Sequence, residues 1–279
     1  MKIGVIGLGL IGGSIAKALR ARTQHEVWGF DRCEETLVAA CASESLQGVL
    51  RLSDLSSCQV IIIALPPVAC LAFLREQAAN IAPKTLVIDC CGVKRSICKV
   101  GGEAATKYGF YFIGGHPMAG REFSGFQAAQ ATLFNRAIML LIPKAGEEPT
   151  VIAQAEELFL SMGFVRVMQT SAEKHDEMIA ITSQLAHLVS NAYVKSPRAG
   201  EHRGFSAGSF ADLTRVARLN ETLWTELFLE NGDFLIREID ELTASLGEYR
   251  QAIQDGDATR LRDLLKAGRE CKEQQDEHR

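Results

Sequence analysis

The spacing Gly7-Leu8-Gly9-Leu10-Ile11-Gly12 follows the apolar run 3–6 and opens a helix-like segment, which leaves this chain few ways to fold. A strand must end, turn tightly and start a helix within a handful of residues. The first glycine permits the turn, the second lets a pyrophosphate approach the backbone, and the third lets helix and strand pack closely. Free N–H groups and the positive dipole end at the helix start then suit phosphate. The motif is weak alone, because glycines also serve turns with no ligand. Its place between strand and helix is what gives it weight.

The next residues repeat the alternation. Strands are expected over 2–6, 26–30, 60–65, 85–89, 111–114, 137–142 and 164–168, several of them continuous Val/Ile/Leu runs suited to burial on both faces. Helices are expected over 12–22, 34–42, 69–80, 96–108 and 148–162. This is an α/β pattern, a Rossmann-type doubly wound and mostly parallel sheet. After Gln169 no convincing strand remains. Ser171 reads as an N-cap with Lys174 at N3, opening a helix to about Tyr193. Residues 196–208 read as a polar, glycine-rich loop, and helices follow over 209–218, 221–229, 231–254 and 257–273. The expected division is a dinucleotide-binding domain over 1–169 and an all-helical substrate and dimerisation domain over 170–279.

Composition narrows the function classes. A net charge of −4 argues against a nucleic-acid surface. The longest apolar stretch, 60–74, is interrupted by Pro66-Pro67, and its halves fall short of the roughly 20 residues of a membrane span. With the glycine motif starting at residue 7, no room is left for a leader, and a cytoplasmic protein is expected. The eight cysteines have no C-x-x-C spacing, so no metal is expected; they read as reduced, half-buried small hydrophobes.

The second strand ends at Asp31, 19 residues after Gly12, near the spacing of a ribose-binding acid. A carboxylate accepts from a 2′-hydroxyl and repels a 2′-phosphate, which favours NAD over NADP. Arg32 beside it works the other way. Leu65 and Pro66, closing the third strand-like run, join the expected cofactor contacts.

The segment Phe112-Ile-Gly-Gly-His116-Pro-Met-Ala-Gly-Arg-Glu122 sets one histidine after an apolar run, between a glycine pair and a proline. That is a poor place for a core histidine and a good one for an acid/base. Residues 114–120 (GGHPMAG), with Leu213-Thr-Arg215-Val-Ala217 and Trp224 nine residues after the arginine, resemble the prephenate/arogenate dehydrogenase family of tyrosine biosynthesis. The resemblance covers nearly the whole chain. It implies an NAD-dependent oxidative decarboxylation of prephenate, with arogenate as the alternative substrate. It also implies His116 as the proton acceptor and Arg215 as a carboxylate clamp, a role that suits a guanidinium fork. Glu122 and Asp212 match acidic residues that network with that arginine, and Gly208 is counted among the substrate contacts.

His187 and His175 match family histidines expected at the substrate. They lie 12 residues apart, close to three and a third helical turns, so one helix can direct both to a cleft. Two departures stand out. Gln184 replaces a histidine, and Gly92 replaces a serine that helps orient the catalytic histidine. Lys94 is left as a structural or steering cation. His25, His202 and His278 read as surface residues.

Other two-domain oxidoreductases, such as β-hydroxyacid dehydrogenases, share the glycine motif but lack GGHPMAG joined to T-R-V-A. A nucleotide sensor without turnover would need neither His116 nor Arg215. The apolar positions Leu185, Leu188, Val189, Leu223, Phe228, Phe234, Ile236, Ile239 and Leu246 exceed what a thin helical layer can bury, and a homodimer is expected.

Overall fold

The computed structural model describes residues 1–121 and 123–277. Eight strands form one sheet in the order β3-β2-β1-β4-β5-β6-β7-β8. They are β1 (Lys2–Ile6), β2 (Glu26–Phe30), β3 (Gly48–Val49), β4 (Val60–Ile63), β5 (Leu86–Asp89), β6 (Tyr111–Pro117), β7 (Ile138–Ile142) and β8 (Arg166–Gln169). All neighbours run parallel except β6 and β7, where His116 lies opposite Leu140. The expected mostly parallel, doubly wound sheet is the one observed.

Burial on both faces explains the continuous aliphatic runs. Val60, Ile61, Ile62 and Ile63 are all buried. Ile62 and Val60 pack with Ile15 and Leu19 of α1 (Leu10–Arg22) and Leu158 and Phe159 of α5 (Pro149–Ser161). Ile61 and Ile63 face the other way, with Cys70 and Leu74 of α3 (Pro67–Gln77) and Ile97 of α4 (Arg95–Tyr108). Helix α2 (Glu34–Ala42) carries the crossover from β2 to β3. The strand order reverses between β1 and β4, which opens a crevice past their carboxyl ends.

Most boundaries fall where the periodicity places them, and the differences have local causes. Strand β3 is two residues long, too short for alternation to register. Helix α3 starts at Pro67, because proline suits the first turn, where its missing N–H is not needed. Strand β6 runs on to Pro117, so His116 sits within a strand rather than after one. Its antiparallel pairing with β7 supplies the extra ladder. Among the cysteines, Cys58, Cys70, Cys90 and Cys91 are buried, whereas Cys33, Cys41 and Cys271 are exposed, against the half-buried expectation.

Among the described residues no strand follows Gln169. Ser171 Oγ accepts from Lys174 N at 3.2 Å, as an N-cap should. The long helix it opens is three pieces: α6 (Ala172–Ile179), a π-helical turn Ala180–Leu185, and α7 (Ala186–Tyr193). Then come α8 (Gly208–Thr214) and α9 (Glu221–Glu230). The chain separates into two compact units, Met1–Asn231 and Gly232–Arg279. The second contains α10 (Gly232–Gln254) and α11 (Ala258–Glu277), with Tyr249 hydroxyl donating to Leu264 O at 3.1 Å. No helix among the described residues is long and apolar enough to cross a membrane.

The glycine turn divides its tasks. Gly7 has φ +87°, and a Cβ there would stand 2.6 Å from Ala64 O. At Gly12 a Cβ would lie 1.8 Å from Gly7 O, whereas at Gly9 it would meet nothing within 4 Å. Gly12→Ala should therefore destabilise the protein by about 3 kcal/mol, at the upper end of overpacking costs. Gly9→Ala should leave stability nearly unchanged and weaken nucleotide binding. Urea unfolding of both variants, with nucleotide titration, checks the contrast.

Candidate active site

The nucleotide side of the crevice is built from backbone. Gly7 N donates to Phe30 O at 2.8 Å, which ties the turn to the end of β2. Asp31, the next residue, accepts from Leu8 N at 2.7 Å through Oδ2 and from Cys33 N at 2.9 Å through Oδ1. Its carboxylate is thus held at the mouth of the glycine turn. Arg32 is exposed. Helix α1 has no side-chain cap at Gly9, so its first-turn donors Leu10 and Ile11 remain for a ligand. The open space at Gly9, the uncapped helix start and the fixed carboxylate fit a dinucleotide. Leu65 is half-buried and Pro66 exposed, at the end of β4 where α3 begins.

Across the crevice the chemistry gathers behind β6. His116 is half-buried, and its Nδ1 lies 2.8 Å from Nε2 of His175. The other ring nitrogen of His175, Nδ1, lies 2.7 Å from Asp176 Oδ1. Asp176 is fully buried in the middle of α6. It also accepts from Lys94 N at 2.8 Å, Arg95 N at 2.9 Å and Arg95 Nε at 3.3 Å. His116 Nε2 has no hydrogen-bond partner among the described residues and is not a buried atom.

Beneath this row Lys94 is fully buried. Its Nζ donates to Asp89 Oδ2 and, at 2.7 Å, to Gly115 O. Asp89 accepts in addition from Cys91 N at 2.9 Å and Gly115 N at 3.2 Å. Burial alone would lower the pKa of Lys94, but Asp89 outweighs it and holds the ammonium charged. Desolvation pushes His116 well below the usual histidine value, helped by the charges of His175 and Lys94. Desolvation also lowers His175, against the opposing pull of Asp176. Burial would raise Asp176, yet the hydrogen bonds from His175 and from the backbone of Arg95 and Lys94 bring it below the usual value. Near neutral pH the row therefore reads carboxylate, neutral imidazole, neutral imidazole. Cys70 and Cys91 bring their sulfurs within 4.8 Å of the Asp89 carboxylate, but the Lys94 ammonium already neutralises it.

His175 was expected at the substrate. It is 2% exposed with both nitrogens engaged by protein, so it stands behind His116 and not in the cleft. Nor does one helix face carry it together with His187. The π turn Ala180–Leu185 lies between them and resets the helical phase. His187 is half-buried, its Nδ1 2.8 Å from Ser183 O and its ring stacked on Trp224 at 4.1 Å. Gln184 is buried and structural. Its Nε2 donates to Leu227 O at 2.9 Å and its Oε1 accepts from Asn231 Nδ2 at 2.8 Å. Gly92 has no open space above it, because a Cβ would lie 3.0 Å from Leu227 Cδ2.

Arg215 is exposed and lines a cavity of about 490 Å³ with Phe123, His202, Phe210, Thr214 and Arg218. Neither His116 nor His187 lines it. Asp212 is exposed, and Gly208 opens α8 with no atom within 4 Å of a Cβ. Glu122 and His278 lie outside the described residues. Sequence reasoning passed over Asp89, Asp176 and Asn231 and left Lys94 open. The adjacency His175-Asp176 and the pair Asp89 and Lys94 flanking Gly92 were the available signals.

Comparison with known proteins agrees with this geometry. The family model for the prephenate dehydrogenase nucleotide-binding domain matches residues 15–168, and that for the prephenate dehydrogenase dimerization domain matches residues 171–267. Prephenate dehydrogenase of Bacillus subtilis is 28% identical over 96% of this chain and 74% of its own length. Cyclohexadienyl dehydrogenase of Zymomonas mobilis is 31% identical over 91% of this chain and 90% of its own. Among solved structures, Synechocystis arogenate dehydrogenase superposes with a TM-score of 0.82 at 26% identity, covering 98% of this chain and 99% of that one. The Aquifex aeolicus prephenate dehydrogenase complex with hydroxyphenyl propionate and NAD+ shares the fold, with a TM-score of 0.85, 24% identity and 98% of each chain covered. The glycine turn, the buried histidine row and both matching domains place this chain in the prephenate dehydrogenase family of oxidoreductases.

Proposed function

We propose that this chain catalyses the NAD-dependent oxidative decarboxylation of prephenate to 4-hydroxyphenylpyruvate in tyrosine biosynthesis, with His116 as the base. The supporting observation is the free Nε2 of a neutral, half-buried His116 whose other nitrogen is held by His175. NAD, held by the glycine turn and Asp31, would supply a hydride acceptor for the ring carbon that bears the hydroxyl. The chain's own part is to take the hydroxyl proton at His116 Nε2 while the ring carboxylate departs as carbon dioxide. Protonating His116 creates charge above Lys94, and the buried carboxylate of Asp176 offsets it through His175. Arg215, sharing its cavity with Arg218 and His202, is assigned to a substrate carboxylate; Asp212, Glu122, Gly208 and His187 are assigned to the substrate on the family resemblance alone.

Arogenate is the second reading, because the relatives include an arogenate and a cyclohexadienyl dehydrogenase. The two substrates differ only in the side chain, ketone against amine. Steady-state rates with each, followed by NADH formation and product analysis, decide between them. Absence of turnover on both would overturn the assignment.

His116→Asn should lower kcat by roughly a hundredfold or more while leaving NAD affinity alone. Arg215→Ala should act instead on KM, by on the order of 2–4 kcal/mol of lost binding. The base must be unprotonated and its pKa is depressed, so kcat should hold as pH falls through the ordinary histidine range and drop only below it. A kcat limb centred at or above that range would place the base elsewhere.

NAD rather than NADP is assigned on Asp31, whose fixed carboxylate would meet a 2′-phosphate. Asp31→Ala should narrow the NAD/NADP ratio of kcat/KM; a native preference for NADP would shift the choice to Arg32. We also propose a homodimer through the residues after about 170. The dimerization-domain match supports it, as do Ile236, Leu246, Ile253 and Leu265, all more than half exposed on α10 and α11. Light scattering at micromolar concentration should return the mass of two chains.

A further inference from the structure

The ring of His116 is held at Nδ1 by His175, which is held in turn by Asp176. The hydrogen-bond row leaves one consistent proton arrangement. An ionised carboxylate only accepts, so Asp176, 2.7 Å from His175 Nδ1, requires the proton on that nitrogen. A neutral imidazole has one N–H, so His175 Nε2 carries a lone pair. His116 Nδ1, 2.8 Å away, must then be the donor. That leaves the lone pair of His116 on Nε2, the nitrogen with no partner among the described residues.

We propose that His175 and Asp176 are positioning residues that fix His116 in the tautomer protonated at Nδ1, so that Nε2 is kept as the proton acceptor. The inference rests on His116 being the base. It adds which nitrogen acts and what fixes it.

The charged and titratable groups around the row are consistent with this arrangement. From the β5–α4 connection come Asp89 and Lys94, which pair with each other, together with the buried side chain of Cys91. From α4 come Arg95, bound to Asp176 and 4.0 Å from Glu173, and Cys98, whose thiol burial pushes up to about 12. The β7 residue opposite His116 is Leu140, which carries no charge. The lowered pKa values of both histidines and of Asp176 keep the row in the required protonation state near neutral pH. Asp176 itself is immobilised by backbone N–H groups of Lys94 and Arg95, and its own carbonyl accepts from Asn231 Nδ2 at 2.8 Å.

Imidazole ¹⁵N NMR of the free wild-type enzyme reads the tautomer directly and needs no substrate. His116 should be protonated at Nδ1 and unprotonated at Nε2 near neutral pH; the reverse assignment overturns the proposal. Asp176→Asn removes the demand for a proton on His175 Nδ1. His175 can then donate from Nε2, and His116 moves its proton to the acting nitrogen. The expected result is a kcat loss on the order of 10³–10⁴-fold, as for a base held in the wrong tautomer. NAD Kd should be unchanged, and the His116 ¹⁵N pattern should reverse. His175→Phe keeps a ring but removes the acceptor, and should give a similar kcat loss with the acid limb of the pH profile displaced. A merely structural role would instead lower thermal stability and NAD affinity together while leaving the tautomer as in wild type, and would overturn the proposal. If neither variant folds, the wild-type spectrum still decides. If His116→Asn retains kcat, the assignment of the base fails, independently of the tautomer found.

Discussion

The buried ion pair between Asp89 and Lys94 holds the crevice together. Asp89 ends β5, Lys94 precedes α4, and both bond the backbone of Gly115 in β6. Three consecutive elements of the sheet edge are thereby locked at the point where the strand direction is about to reverse. Such a pair adds little net stability over apolar packing, but losing one partner leaves an uncompensated charge at a cost of about 3–5 kcal/mol. Its more specific effect is electrostatic. Added to burial, a fixed cation beside His116 disfavours imidazolium and lowers the pKa of that histidine. The same Lys94 gives its backbone N–H to Asp176, so the residue that depresses His116 also anchors the carboxylate that steadies it.

Much of this was legible in the sequence. The glycine turn, the aliphatic strands and the helix cap at Ser171 each rest on a local rule, and local rules leave a local trace. Asp31 could be placed because its spacing from Gly12 is a property of one βαβ unit. What escaped depends on long-range packing. The pairing of His175 with His116 joins residues 59 apart in sequence, on a strand and a helix whose contact no periodicity records. The spacing of His175 and His187 misled because it assumed one regular helix, and a π turn changes the phase between them. Arg215, found by motif, lies in a cavity that the same chain's His116 does not line, a relation sequence has no way to express.

The two departures from the family pattern turn out to meet at a single residue. Leu227 Cδ2 lies 3.0 Å from where a Cβ at Gly92 would stand, and the Leu227 carbonyl accepts from Gln184 Nε2. Gln184 in turn accepts from Asn231, which donates its other proton to the carbonyl of Asp176. A histidine at 184 could not make both amide bonds in the same plane, since a neutral imidazole offers one donor and one acceptor on opposite sides of a ring.

This linkage joins the substitutions to the site chemistry. A Cβ at position 92 would lie 3.0 Å from Leu227 Cδ2, so a serine there requires that flexible side chain to give by a few tenths of an ångström. The amides of Gln184 and Asn231 are buried in the protein interior behind the His175–Asp176 pair. Polar groups there are strongly coupled because nothing else can satisfy them. Among the described residues His116 Nε2 has no hydrogen-bond partner, while every other polar side-chain atom of the row is bonded within the protein.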